Sequence, residues 1–180
     1  MVRRILSVAL VALVLAPALA LATDFPLTGK NTTIKFTGTK PNGKHEGGFK
    51  TVTGTASVTG KDATTLKITL DIDVASLYSD NPKLTDHLKA PDFFGVKSNP
   101  KAKFVTTKVE KAGADYKVTG DLTMVGKTKS VTFPASIKAG ADSLSVVADF
   151  SIDRTQWGMV YGKGKIDDNV KLSVSVKATK

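Results

Sequence analysis

Few side chains in this sequence could carry a reaction, and they are scattered. There are two histidines, His45 and His87. His87 has Asp86 and Asp92 nearby, so a metal site or an acid–base pair is conceivable. No second ligand stands at the spacing that marks a metal centre, and His87 reads better as a helix-surface residue. His45 lies in "PNGKHEGGF", a Gly-rich segment that reads as a loop. Asp71 and Asp73 alternate along one run, which places both on a wet strand face; two carboxylates there need no glycosidic role. Asp153-Arg154 precedes Trp157, the sole tryptophan. Arg154 is suited to a carboxylate or phosphate, or to closing the structure by pairing with Asp153 or packing on Trp157. "GKGK" at 162–165 lacks the spacing of a phosphate loop, and no G-x-S-x-G elbow occurs. Cysteine is absent, so disulfides, zinc–thiolate sites and thiol nucleophiles are excluded. The pattern is that of a non-enzyme that needs no cofactor.

The elements that would hold these residues are strands. Apolar and polar residues alternate in eight runs: Thr33–Thr39, Phe49–Thr59, Leu66–Val74, Ala102–Glu110, Asp115–Met124, Ser130–Ile137, Leu144–Ile152 and Val170–Val176. Such alternation gives a sheet one dry face and one wet face. Turn signals separate most runs, among them Gly60-Lys61-Asp62, Gly113-Ala114-Asp115, Gly126-Lys127, Gly140-Ala141-Asp142 and Asp167-Asp168-Asn169. No helix is long enough to cover the sheet, so the dry faces must cover each other. With short connections, an all-β, eight-stranded antiparallel up-and-down barrel is favoured over a sandwich. Gly54, Ala56, Gly120, Ala135 and Ala148 put small residues on the strands. They either leave room for a slender ligand or let curved strands pack closely.

One stretch breaks the alternation. Asn81-Pro82 reads as an N-cap followed by proline in the first turn. Leu84 and Leu88 then share a helix face, and Pro91 ends the helix near Lys89 or Ala90. So short a helix is no layer of its own; it fits as a lid over one barrel mouth. Phe93 and Phe94 follow at the rim, one able to enter the barrel while the other packs beneath the helix.

The first 22 residues read as a leader. Arg3 and Arg4 precede an apolar run from Ile5 to Leu21, and Ala20-Leu21-Ala22 offers small residues for cleavage after Ala22. An uncleaved anchor is the rival, since Ile5–Ala22 is just long enough to span a bilayer. Residues 23–180 then form one domain, secreted or periplasmic, with 24 basic and 16 acidic residues and a net charge of +8. Its lysines cluster in turns, as "KPNGK", "KSNPKAK" and "YGKGK". They suit a solvated surface that blunts strand edges, or transient contact with an anionic membrane face. Without surface aromatics between them they do not suit nucleic acid. A monomer or an isologous homodimer is compatible with the pattern.

Three blocks, in this order, resemble the YceI-like family: "YSDNPKLTDHLKAPDFFGVKSNPKAKFVTTKV", "YKVTGDLTMVGKTKSVTFP" and "FSIDRTQWGMVYGKG". The likeness runs from about Leu27 to the C-terminus. It implies an exported, lipocalin-like barrel whose apolar tunnel holds a polyisoprenoid or similar amphiphilic lipid, without catalytic residues. The segment "FTGTKPNGKHEGGFKTVTGTA" departs from the commoner start of the family. Val125-Gly126-Lys127 stands where many relatives carry His-Gly. On the residue pattern, Phe104, Leu122, Met124, Phe133, Ala148 and Phe150 are expected to line the tunnel. Phe93, Phe94, Trp157 and Tyr161 are expected to shape its mouth, and Arg154 and Lys163 to meet an anionic headgroup. The alternatives are a barrel filled by its own side chains, and a metal-dependent enzyme using His45 or His87.

Overall fold

The structure is a computed structural model, and it describes residues 21–180. The leader read in residues 1–22 therefore lies outside the described residues, apart from Leu21 and Ala22. The strands are β1 (Ala22–Thr28), β2 (Thr32–Lys40), β3 (Gly43–Phe49), β4 (Val52–Thr59), β5 (Lys67–Asp73), β6 (Leu77–Ser79), β7 (Lys101–Ala112), β8 (Asp115–Met124), β9 (Lys127–Ala139), β10 (Ser143–Asp153) and β11 (Asn169–Thr179). Among the described residues the one α-helix, α1 (Pro82–Lys89), falls between β6 and β7.

Eleven segments reduce to eight staves because three staves are bent. β1 and β2 run antiparallel to β4 and β3, with Thr28 opposite Thr53 and Ile34 opposite Phe49. β4 and β3 run in turn against β5 and β6, with Val52 opposite Ile72 and Phe49 opposite Leu77. Between the two halves of each stave lies a short corner: 29–31, 50–51 and 74–76. The corners are tied to one another, as where the Lys50 N–H donates to Ser76 O and the Asp73 N–H to Thr51 O. From there β5 pairs with β7, and the meander runs β7-β8-β9-β10-β11. β11 pairs with β2 through Leu172–Phe36 and Val174–Ile34. The ring is thereby closed, and every strand pair in it is antiparallel.

The expected eight-stranded barrel is present, with the bends added. Bending lets each stave serve both walls of a tightly coiled barrel, which a straight strand of that length would not do. Within β4, Gly54 faces the next strand so closely that a Cβ would stand 2.1 Å from Thr69 O. Gly120 instead lies beneath the Phe104 ring, which a Cβ would overlap. Close packing therefore explains these two small residues, whereas Ala148 borders open space.

The two ends differ. At the closed end, Phe25, Val58, Leu66 and Leu144 are almost fully buried, and short turns join the strands. Both described chain ends meet there: the Gly60 N–H donates to Leu21 O, and the Lys180 N–H to Asp142 O. At the other end the connections are long, 80–100 and 154–168. The two-residue turn Val125-Gly126 also lies there and puts both residues at positive φ, 48° and 69°. That is the geometry of a tight hairpin turn, and a strained one for a β-branched residue.

Candidate functional site

The open end leads into a cavity of about 280 Å³. Beyond it lies an inner chamber of about 90 Å³. Ile34, Ile72, Leu122 and Leu172 border both, so the two are consecutive spaces meeting at one ring of aliphatic side chains. The inner chamber has an entirely apolar side-chain lining, including Phe104, Phe133, Phe150 and Ala148. The outer chamber carries polar side chains only from Thr39, Lys40, His45 and Arg154. A polarity gradient results: wet at the rim, dry within. Such a space suits an amphiphile whose chain leaves water, at about 25 cal/mol per Å² of apolar surface removed.

The rim is built by three pieces. α1 is capped by Asn81, whose Oδ1 accepts the Leu84 N–H at 3.2 Å, and it turns Leu84 and Leu88 towards the cavity. The loop after α1 folds back, with the Phe94 N–H donating to Leu88 O and Gly95 N–H to Ala90 O. This places Phe93 beneath the helix, edge-on to His87 at 5.1 Å. Phe94 reaches across to Phe49 at 5.9 Å, also edge-on. Both phenylalanines line the outer chamber. The second piece is the β2–β3 hairpin. His45 Nδ1 lies 2.9 Å from Asp80 Oδ1, while Asp80 Oδ2 accepts the Glu46 N–H. The Glu46 N–H, and next the His45 contact, hold the Asp80 carboxyl below the ordinary carboxylate range. The third piece is the loop 158–166. Tyr161 packs on His87 at 4.6 Å and on Phe93 at 5.3 Å, joining this loop to the helix across the opening.

Arg154 holds that third piece in place. It is 4% exposed, and its guanidinium donates five hydrogen bonds. Nε reaches Asp167 O at 3.2 Å; one terminal nitrogen reaches Met159 O at 2.6 Å and Tyr161 O at 2.9 Å; the other reaches Ile166 O at 3.4 Å and Asp168 Oδ1 at 3.2 Å. A guanidinium has five N–H groups, so none is left for a ligand headgroup. Its ion-pair partner is Asp168, not Asp153. Asp153 caps the following turn, where the Thr155 hydroxyl and then the Thr155 N–H keep its carboxyl below the usual range.

The structure thus gathers Phe93, Phe94, Leu122, Met124 and Arg154 around the outer chamber, and Phe104, Leu122, Phe133, Ala148 and Phe150 around the inner one. Three expected residues line neither chamber. Trp157 is buried in the wall, its Nε1–H donating to Leu122 O at 3.0 Å, because a buried indole needs an acceptor for its N–H. Tyr161 caps the rim from outside and is 46% exposed. Lys163 is solvent-exposed on the outer loop. The sequence reading passed over Phe36, Phe49, Leu172, Met159 and Ile166 as lining residues. Phe36 and Leu172 were legible as inward positions of alternating runs; Met159 and Ile166 sit in an irregular loop with no periodicity to reveal them. Among the described residues no three His, Asp or Glu side chains converge as metal ligands. His45 and His87 lie on separate rim pieces with separate partners.

Comparison with known proteins gives the lineage. A UPF0312 protein of Pseudomonas putida is 35% identical over 143 residues, covering 74% of this chain and 73% of that protein. A UPF0312 protein of Serratia proteamaculans is 30% identical over 140 residues, with the same coverage. Among solved structures, Burkholderia cenocepacia BcnA superposes with a TM-score of 0.73 at 25% identity, over 82% of this chain and 96% of that one. A polyisoprenoid binding domain from Saccharophagus degradans, implicated in plant cell wall breakdown, superposes with a TM-score of 0.69, over 89% of this chain and 98% of that one. At 14% identity that likeness speaks to the fold. The model of the YceI-like domain matches residues 25–178, and the chain belongs to that family.

Proposed function

We propose that this chain is an exported, non-catalytic binding protein that holds a long-chain amphiphilic lipid, a polyisoprenoid or a close chemical relative. The observation that carries the reading is the pair of consecutive apolar chambers opening at a single polar rim. The outer chamber alone is close to the lower end of ligand pockets, roughly 300–1,000 Å³. The lipid chain occupies the two chambers, and its head stays at the rim. With Arg154 saturated, the head meets Thr39, Lys40 and His45, which border the opening. The basic start, apolar run and small-residue exit of residues 1–22 support export to the periplasm or beyond. Val160 and Tyr161, exposed at 56% and 46% beside Lys163 and Lys165, support brief contact between this rim and an anionic membrane surface. The fold likeness to a polyisoprenoid binding domain agrees with the reading.

The test is extraction of the full chain, expressed with its leader and purified without detergent, followed by mass spectrometry. A stoichiometric long-chain lipid is expected. An empty protein that also takes up no polyisoprenoid in vitro would overturn the reading. It would leave the second one, a self-filled barrel, which is favoured by the Phe104 ring over Gly120 and the Phe36 ring against Gly47. The variant Ala148→Phe separates the two. It fills the inner chamber, so it abolishes uptake in a carrier and merely strains a packed core.

A further inference from the structure

One part of the barrel wall has no ladder. β9 pairs with β10 only through residues 136–139, against 144–147. Residues 127–135 of β9 pair with β8 alone, and residues 148–153 of β10 with β11 alone. The ladder stops just short of Pro134, which has no N–H to offer β10. Phe133 and Phe150 stand in this seam, where a continued register would make them partners. Their rings stack at 4.1 Å, 7° from parallel. Both line the inner chamber, with Val131 and Ala148. They point inward, yet they are only partly buried, unlike Ala135 and Val146 nearby. On the outer face, exposed Pro134 lies in the seam, and Val147, 42% exposed, stands at the last ladder pair beside it.

We propose that the β9–β10 seam is a side opening of the inner chamber, gated by the Phe133–Phe150 stack. The tail of a polyisoprenoid longer than the two chambers leaves through it and lies along Pro134 and Val147. This rests on the lipid reading above. The closed end gives such a tail no way out, since Phe25, Val58 and Leu144 there are at most 1% exposed. Parting paired strands elsewhere breaks backbone hydrogen bonds, whereas parting this unladdered stretch breaks side-chain contacts, the Phe133–Phe150 stack first among them. A barrel with a side exit sets no upper limit on chain length. The seam therefore decides which polyisoprenoids are accepted.

A removable staple tests this. Thr132→Cys and Ser151→Cys are exposed positions that face each other across the seam in the continued register, and the chain has no other cysteine to interfere. Uptake of undecaprenol and of the shorter geranylgeraniol is measured in the oxidised and reduced full-length variant. Oxidation is expected to cut undecaprenol uptake by about tenfold, to leave geranylgeraniol within about twofold, and to be reversed by reduction. Equal uptake of undecaprenol in both states overturns the side opening. So does equal loss of both lipids. If the unmodified chain takes up neither, the lipid reading itself fails, and the seam proposal with it. If the cysteines do not close, Phe150→Ala carries the test: it must speed release of undecaprenol by about tenfold more than release of geranylgeraniol. Circular dichroism confirms that each variant keeps its β-signal.

Discussion

The two ends of this barrel are built from the same strands and finished differently. At the closed end, Phe25, Val58, Leu66 and Leu144 interlock, and the turns are short. At the mouth, residues 80–100 and 154–168 wander, and the side chains that meet over the opening are half-buried aromatics and aliphatics, Phe94, Leu84 and Leu88 among them. A packed end contributes stability through transfer and dispersion. A loosely finished end leaves volume that only a guest fills. Local stability is expected to follow the same division, since regions with few buried contacts open most readily.

The strongest challenge to that division is Phe25→Ala. It should lower stability by about 3–5 kcal/mol in urea unfolding, while lipid retained per folded molecule stays the same. A loss of retention as well would mean that the closed end also shapes the cavity. Arg154→Met comes next. It leaves four carbonyl groups and Asp168 without their donor, and should cost roughly 3 kcal/mol. A cost no larger than that of an exposed lysine would show that the 158–166 loop stands without its clamp. Phe94→Ala should behave in the opposite way to Phe25→Ala. Its ring is partly exposed, so the stability cost stays near about 1 kcal/mol, and lipid retention is what falls.

Acid weakens both ends. Asp80 and Asp153 at the mouth, and Asp62 at the closed end, all titrate below the ordinary carboxylate range. The Thr64 hydroxyl is the main cause for Asp62. A folded-state value below the unfolded one means a stabilising contribution that is complete above the unfolded value and lost as pH falls through the folded one. Carboxyl resonances followed by NMR should therefore show midpoints under about 3.9 for all three. A midpoint at or above that for Asp80 would show that the His45 and Glu46 tie does not persist in solution. The smallest effect is expected from Val125→Asn. Asparagine tolerates positive φ, so a gain of up to about 1 kcal/mol should appear in the melting transition. It is offset in part by apolar contact that Val125 makes with the core.

The barrel was legible because its signal is periodic. Each of the eight alternating runs contributes to a stave, and α1 announced itself through Asn81, Pro82 and the Leu84–Leu88 pair. β3 was not legible: "GKHEGGF" has no apolar alternation, and Gly47 and Gly48 are there because the Phe36 ring and Tyr78 lie against them. β1 was hidden in another way, since its start overlaps the segment read as a leader and Pro26 interrupts its run. Phe93 and Phe94 stood out in the sequence as apolar residues in a loop. The role of Arg154 did not, because five acceptors spread over residues 159–168 are set by the path of the backbone, which side-chain identity does not encode.

Both described chain ends emerge where the barrel is sealed, as far from the opening as the fold allows. A linker added after Lys180 would thus anchor the protein to a bead or sensor chip with its mouth directed away from the support. A surface coated this way would present an oriented layer of receptors, each free to load and unload its guest.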